Sequence, residues 1–307
     1  MMELLSEVCT IEETCQALGR THEDFIELRK KLREWLIACP HLPQGITDKK
    51  LEFLLLNSKM SIERAKELVD MHYTLKANIP EAFANRDPVS VINCEVLNYM
   101  SFAILPKLTP GKHRVFFVQV KIQERKEDYE INIWDFQKYI YMMGDMRNAV
   151  DVCIGDIYVF DLSGARFNHF LSFTPSLLKK SEVIITKAYG ARIAGIHFIN
   201  APSSIDFFIN VLKSTVKPKI FNRVKVHSSL ESFYNVVPKS ILPADYGGDE
   251  ISVADIEKKW HKNMIEWTDW YKKEEGLVPN EALRPGPSVN LDNLFGTYGS
   301  FRQLDVD

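Results

Sequence analysis

Cysteine that could pair is missing from this chain. Its five cysteines, Cys9, Cys15, Cys39, Cys94 and Cys153, include no C-x-x-C spacing, which argues against a disulfide framework and against a zinc cluster. No run of 18 apolar residues occurs; the richest stretch, 89–106, is interrupted by Asn93, Glu95 and Asn98, so no membrane-spanning helix is expected. The first 14 residues lack a basic segment followed by an apolar one, and there is no N-x-S/T sequon. Both absences fit a cytoplasmic chain. The phosphate-loop, dinucleotide, nucleophile-elbow and zincin signatures (G-x-x-x-x-G-K-[ST], G-x-G-x-x-G, G-x-S-x-G, H-E-x-x-H) are all absent, so those chemistries lack their defining geometry. Neither an internal repeat nor a low-complexity run is present, and no metal, cofactor or nucleic-acid signature stands out. One absence is local: no carboxylate falls between Asp206 and Glu231, whereas Lys213, Lys217, Lys219, Arg223 and Lys225 do, a reversal of sign in a chain of net charge −3.

What is there is an ordinary globular composition, 46% hydrophobic and 26% charged over 307 residues, enough for one large or two modest domains. Residues 1–88 read as helices only. Thr21 and Asp24 form a capping box before Phe25, Leu28, Leu32 and Trp35, and Pro40 and Pro43 end that run. A second helix starts near Asp48, and a third runs from Ser61 to Pro80 with Val69, His72 and Tyr73 on its apolar side, where His72 reads as a satisfied helix-face histidine. From residue 89 to 250 strands and helices alternate, which predicts an α/β domain. Arg114–Ile122, Ile154–Asp161 and Gly195–Ile199 are the strands, and 174–189 is a crossover helix. The helix carrying Trp134, Phe136, Tyr139, Ile140 and Met143 has more large apolar groups than a narrow seam needs, so it serves either as core or as a pocket wall. Ile205, Phe208, Ile209, Leu212 and Val216 line one face of a further helix. In 251–307, Ser252 and Asp255 start a last helix lined by Ile256, Trp260, Met264, Trp267 and Tyr271; beyond Gly276 the pattern fades into a strap or partly disordered tail with Phe295, Tyr298 and Phe301 free to dock.

Three stretches stand out in order: Tyr158-Val-Phe-Asp-Leu-Ser-Gly164 with His169, then Gly195-Ile-His-Phe-Ile-Asn-Ala-Pro202, then Leu242-Pro-Ala-Asp-Tyr-Gly-Gly248. Together, over roughly residues 47 to 275, they resemble the CRAL-TRIO lipid-binding family, especially its tocopherol- and retinaldehyde-binding branch. The resemblance implies a helical N-terminal module and a mostly parallel sheet over an apolar cavity, closed by a movable helix at 205–216. It implies ligand contacts at Phe136, Tyr139, Ile140, Met143, Tyr158, Phe160, Ile184, Ile196, Phe198, Phe208 and Leu212. Arg192, Lys219 and Arg223 fall where that branch carries phosphoinositide-binding cations. Two departures are visible: the N-terminal module has Phe53-Leu-Leu-Leu-Asn57 with Lys59 as its nearest base, and the Lys-Pro of the closing helix moves to Lys217-Pro218. The expected activity is binding and transfer of one small hydrophobic ligand, such as a retinoid or tocopherol, by a monomer that docks peripherally on phosphoinositide-containing membranes. A phosphoinositide-responsive adaptor without carrier role is one alternative. An α/β hydrolase or phosphatase is the other, although Ser163 stands where an aspartate-nucleophile phosphatase needs its second Asp after Asp161. Asp161, His169 and Asn200 read instead as turn residues.

Overall fold

Capping governs where the N-terminal helices begin. In the computed structural model, which describes residues 4–123 and 132–295, Thr10 and Glu13 close a capping box on the helix Ile11–Ala17, and Thr21 and Asp24 do so on His22–Ile37. Thr47 accepts from the Lys50 amide to start Asp48–Asn57, and Ile62–Asn78 follows. The first of these was not anticipated, because seven residues give too short an apolar period to read. Phe25, Leu32, Leu51, Leu54 and Tyr73 pack together, and the same cluster takes in Tyr141, Ile184 and Tyr189 from the following α/β region. His72 is buried there with Nδ1 2.9 Å from the Ala188 carbonyl, as a satisfied structural histidine.

The sheet contains β1 (Met100–Leu108), β2 (His113–Val120), β3 (Gly155–Asp161), β4 (Ile193–Ile199) and β5 (Val224–Val226), side by side in that order. β1 and β2 are antiparallel, and the remaining pairs are parallel. β1 escaped the sequence reading because Pro106 and a register shift between Ile104 and Leu108 break its pattern, which an edge strand tolerates. β5 is only three residues long. Strands in sequential order joined by right-handed crossovers must carry their connecting helices on one face. Accordingly Ile133–Asn148, Pro175–Val183 with its continuation Ile184–Ala188, and Ile205–Thr215 share a side, with Phe102 against Tyr139 and Phe198 against Phe208.

The other face is covered by the chain after β5: Phe117 lies 4.5 Å from the Tyr246 ring and His197 6.3 Å from that of Phe233. The helix Val253–Glu266 seals the β1 edge. The buried Glu257 carboxylate accepts from the Phe102 amide and the Ser101 hydroxyl, both at 2.9 Å, and Trp260 Nε1 donates to the Ile104 carbonyl at 3.1 Å. Strand groups that would otherwise face water are thus paired. This helix stops at Trp267, and Thr268–Glu275 continues as a separate one. The tail then crosses the N-terminal helices as a strap: Asn280 donates to the His41 carbonyl at 2.8 Å, Arg284 grips Asp70 through two bonds of 2.7 Å, and Phe295 packs on that cluster. Tyr298, Phe301 and the charged stretch 124–131 lie outside the described residues. Among the described residues no helix is long and apolar enough to cross a membrane.

Candidate functional site

The three sequence motifs meet at one carboxylate. Asp161 ends β3, and its Oδ1 accepts from the Ser163 amide at 3.0 Å and from Asn200 Nδ2 at 2.9 Å, while Oδ2 accepts from the Ser163 hydroxyl at 3.2 Å and the Tyr246 hydroxyl at 2.5 Å. Gln119 donates to the same Tyr246 oxygen at 3.0 Å. Asn200 has φ of 51°, a left-handed turn that asparagine tolerates. The motif glycines are there for room: a Cβ on Gly164 would stand 2.3 Å from the Lys121 carbonyl oxygen, and one on Gly248 would stand 2.0 Å from that of Leu242. Burial and the Asp161 charge push the Tyr246 hydroxyl well above its ordinary value, so it stays a donor. Both Asp161 oxygens are occupied by structural donors, which is the behaviour of a fastener rather than of a nucleophile.

The helical side of the sheet is built differently. Strand alternation puts Phe116 and Val118 of β2, Tyr158 and Phe160 of β3, and Ile196 and Phe198 of β4 on one face. Above them the helix Ile205–Thr215 buries Ile205, Phe208 and Leu212, and Phe208 sits among Phe170, Phe173 and Phe198 with ring centroids 5.4, 5.3 and 6.0 Å away. Phe198, Phe208 and Leu212 are buried, yet Tyr158, Phe160 and Ile196 on the central strands are only partly covered by protein. The helix ends at Thr215; Val216 is extended, and Lys217-Pro218 opens a new short helix. The break therefore sits at the displaced Lys-Pro.

Other residues expected at the site have different surroundings. Phe136 and Met143 are buried on the sheet side of Ile133–Asn148, Met143 with no exposed surface. Tyr139 is equally covered, and its hydroxyl donates to Glu257 at 3.0 Å and lies 2.7 Å from His261 Nε2; burial first, then Glu257, pushes it well above the ordinary value. Ile140 is partly buried between the two core clusters. Ile184 is the clear departure from expectation: it packs with Tyr141 and Tyr189 in the N-terminal core, not with the wall residues, because the π-turn Ile184–Ala188 lies against the helix Ile62–Asn78.

At the opposite end of the strands lies an open groove of about 830 Å³, lined by Lys59, Arg64, Lys187, Arg192, Lys217, Lys219 and Arg223, with Glu67 as an acidic member. Arg192, Lys219 and Arg223 are brought together here, but they are not equivalent. The Arg192 guanidinium donates to the Cys153 carbonyl, and that of Arg223 to the Ile193 carbonyl, so both brace the sheet. Burial lowers the Arg192 pKa. Lys217 is held 3.2 Å from Glu182. Lys59, Arg64, Lys187 and Lys219 are exposed. Arg64 and Lys187 were missed in the sequence because they come from separate helices whose docking no local period reveals. A second surface feature, also unread, is apolar: Phe167, Leu171 and Phe207 are exposed, and the Phe167 and Phe207 rings stack edge-on at 5.3 Å.

Comparison with known proteins fits this geometry. Residues 98–248 match the family described as CRAL/TRIO domain, and residues 22–91 match that described as Pinta-like, UBA domain. The chain is 26% identical over 276 residues to the alpha-tocopherol transfer protein-like protein of Mus musculus, covering 89% of this chain and 75% of that one. The Homo sapiens protein of that name is 25% identical over 256 residues, 82% of this chain and 71% of its own. Homo sapiens Clavesin-2 is 30% identical over 95 residues, 31% of this chain and 29% of its own. The structure titled "Crystal structure of Sfh5" aligns over 81% of this chain and 98% of its own at 13% identity and a TM-score of 0.49. With its five-stranded mostly parallel sheet and the Asp161 junction of the three motifs, the chain carries a CRAL/TRIO domain over residues 98–248.

Proposed function

We propose that this protein binds one hydrophobic ligand between the helical face of its sheet and the helix Ile205–Thr215, and transfers it at phosphoinositide-containing membranes. The observation that carries the reading is the incomplete cover over Tyr158, Phe160 and Ile196. Central strands flanked by helices normally bury their side chains fully, so a partly open surface there is room for a guest. Enclosing ~400 Å² of lipid apolar surface is worth about 10 kcal/mol before association costs. A guest so enclosed needs a gate. The Ile205–Thr215 helix, with its break at Lys217-Pro218, supplies one. The exposed Phe167, Leu171 and Phe207 beside it would enter the bilayer, and the basic groove would hold anionic headgroups. The names of the relatives support lipid binding and transfer in general; tocopherol is said of them and becomes one candidate ligand here.

The test has two arms. Delipidated protein should gain stability from at least one lipid among retinoids, tocopherols, sterols and phospholipids, about 2.7 kcal/mol at 100 times the dissociation constant. No stabilisation by any lipid would end the carrier reading. In the second arm Lys59, Arg64, Lys187 and Lys219 are changed together to Ala, leaving the bracing Arg192 and Arg223 intact. At ~1 kcal/mol per cation, co-sedimentation with phosphoinositide vesicles should weaken by roughly 100-fold or more, and salt should erase the difference. Unchanged sedimentation would detach membrane docking from the groove.

A further inference from the structure

We infer that the Tyr158 hydroxyl is the polar anchor of the ligand site. The ligand is then a neutral lipid with a hydroxyl or carbonyl group, rather than a pure hydrocarbon or a fatty-acid carboxylate. The inference rests on the carrier reading above.

Tyr158 stands in the middle of β3 on the helical face, between Asp156 and Phe160, with its ring stacked on Phe116 at 5.1 Å and 19°. It is deep, for burial pushes its hydroxyl well above the ordinary phenol value. Yet its side chain is only partly covered, and among the described residues the hydroxyl has no hydrogen-bond partner. Other buried tyrosines use theirs on protein: Tyr139 on Glu257, Tyr189 on Asp145, Tyr246 on Asp161 and Tyr271 on the Met142 carbonyl. Tyr73 is also unpaired, but it is fully enclosed in the N-terminal core, where no guest could reach it. Tyr158 alone of these combines depth, an unfilled partner position and open surface. Leaving such a donor unmet is costly, so the guest must meet it.

The surroundings select the kind of guest. Phe160, Ile196, Phe198, Phe208 and Leu212 offer no hydrogen bond, and of the other polar groups that act on the Tyr158 hydroxyl, Asp156, Arg147 and Cys153 are bonded to one another. The cation nearest in the packing is Arg147, whose guanidinium lies over the Phe116 ring at 5.4 Å. It is already occupied by Asp151 at 2.9 Å, Asp156 at 3.0 Å and Asn148 at 2.9 Å. A carboxylate would find no free positive charge to offset its desolvation. A phenol can donate to a carbonyl and either donate to or accept from a hydroxyl.

The experiment uses matched probes on the full chain: retinol, retinal, the deoxy hydrocarbon axerophthene and retinoic acid, with cholesterol and cholestane as a second alcohol and hydrocarbon pair. Dissociation constants are measured for the unaltered protein and for Tyr158→Phe, whose melting temperature confirms folding. The alcohol should bind more tightly than its hydrocarbon. Tyr158→Phe should weaken alcohol or aldehyde binding by roughly three- to tenfold and change hydrocarbon binding by less than about twofold. An unchanged alcohol-to-hydrocarbon ratio in the variant overturns the anchor and leaves the carrier reading standing. Retinoic acid binding more tightly than retinol overturns the neutral-ligand assignment. No binding by any probe, together with no stabilisation across the wider lipid panel, overturns the carrier reading and the anchor with it.

Discussion

Side chains one residue apart on the same strands meet opposite fates in this protein. On the face away from the helices, Phe117 lies against Tyr246 and His197 against Phe233, and the polar atoms of Asp161, Gln119 and Tyr246 are joined to one another. On the helical face, Tyr158, Phe160 and Ile196 keep partly open surface and Tyr158 keeps an unmatched hydroxyl. The first face is finished by the chain itself. The second is left partly open, and that open surface is where the proposed ligand would pack. Both are apolar, so hydrophobicity does not separate structure from function here; completeness of cover and of hydrogen bonding does.

That contrast can be broken most severely at Asp161. Asp161→Ala strands the Asn200 amide and the Tyr246 hydroxyl and should cost about 3 kcal/mol in urea unfolding, because charge-assisted bonds to buried donors are lost together. Its effect on ligand affinity, measured on the folded fraction, should be small. Equal loss of binding would mean that the two faces are not separable.

A smaller effect is expected from acid. His197 Nδ1 lies 2.9 Å from His227 Nε2 on the finished face, and His227 Nδ1 lies 3.1 Å from the Ser232 hydroxyl. Burial, then His227 and Lys225, lowers the His197 pKa from 6.5 to about 4. A depressed folded-state value means that the unfolded chain binds the proton first, so stability is complete above 6.5 and falls as pH drops toward 4. The His197 share should be about 2 kcal/mol between pH 7 and pH 5. Urea midpoints for the unaltered chain and for His197→Asn at both pH values isolate it; parallel slopes would contradict the assignment.

The smallest expected stability effect comes from enlarging the wall. Phe160→Trp should cost under about 1 kcal/mol and weaken ligand retention, since it grows into open space, whereas Phe117→Trp on the packed face should cost about 1–3 kcal/mol and spare binding. Met143 has no exposed surface and should behave like Phe117. Thermal melts with and without a bound lipid decide it, and equal costs at positions 117 and 160 would erase the distinction between the faces.

The sequence by itself determined what depends on near neighbours. Caps at Thr21 and Thr47 started helices where the pattern placed them, and the apolar stripe Ile205, Phe208 and Leu212 turned inward. The motif residues Asp161, Asn200 and Tyr246 were legible as family marks, but their meeting at one carboxylate joins residues up to 85 positions apart. Only the folded chain decided that. It also placed Ile184 with the N-terminal helices, made Arg192 and Arg223 braces as well as groove residues, and brought Arg64 and Lys187 to Lys219 from separate helices. The physical reason is the same in each case: capping and periodicity act within a few residues, whereas the partner of a buried polar group and the cover over a strand are set by which distant segments pack together.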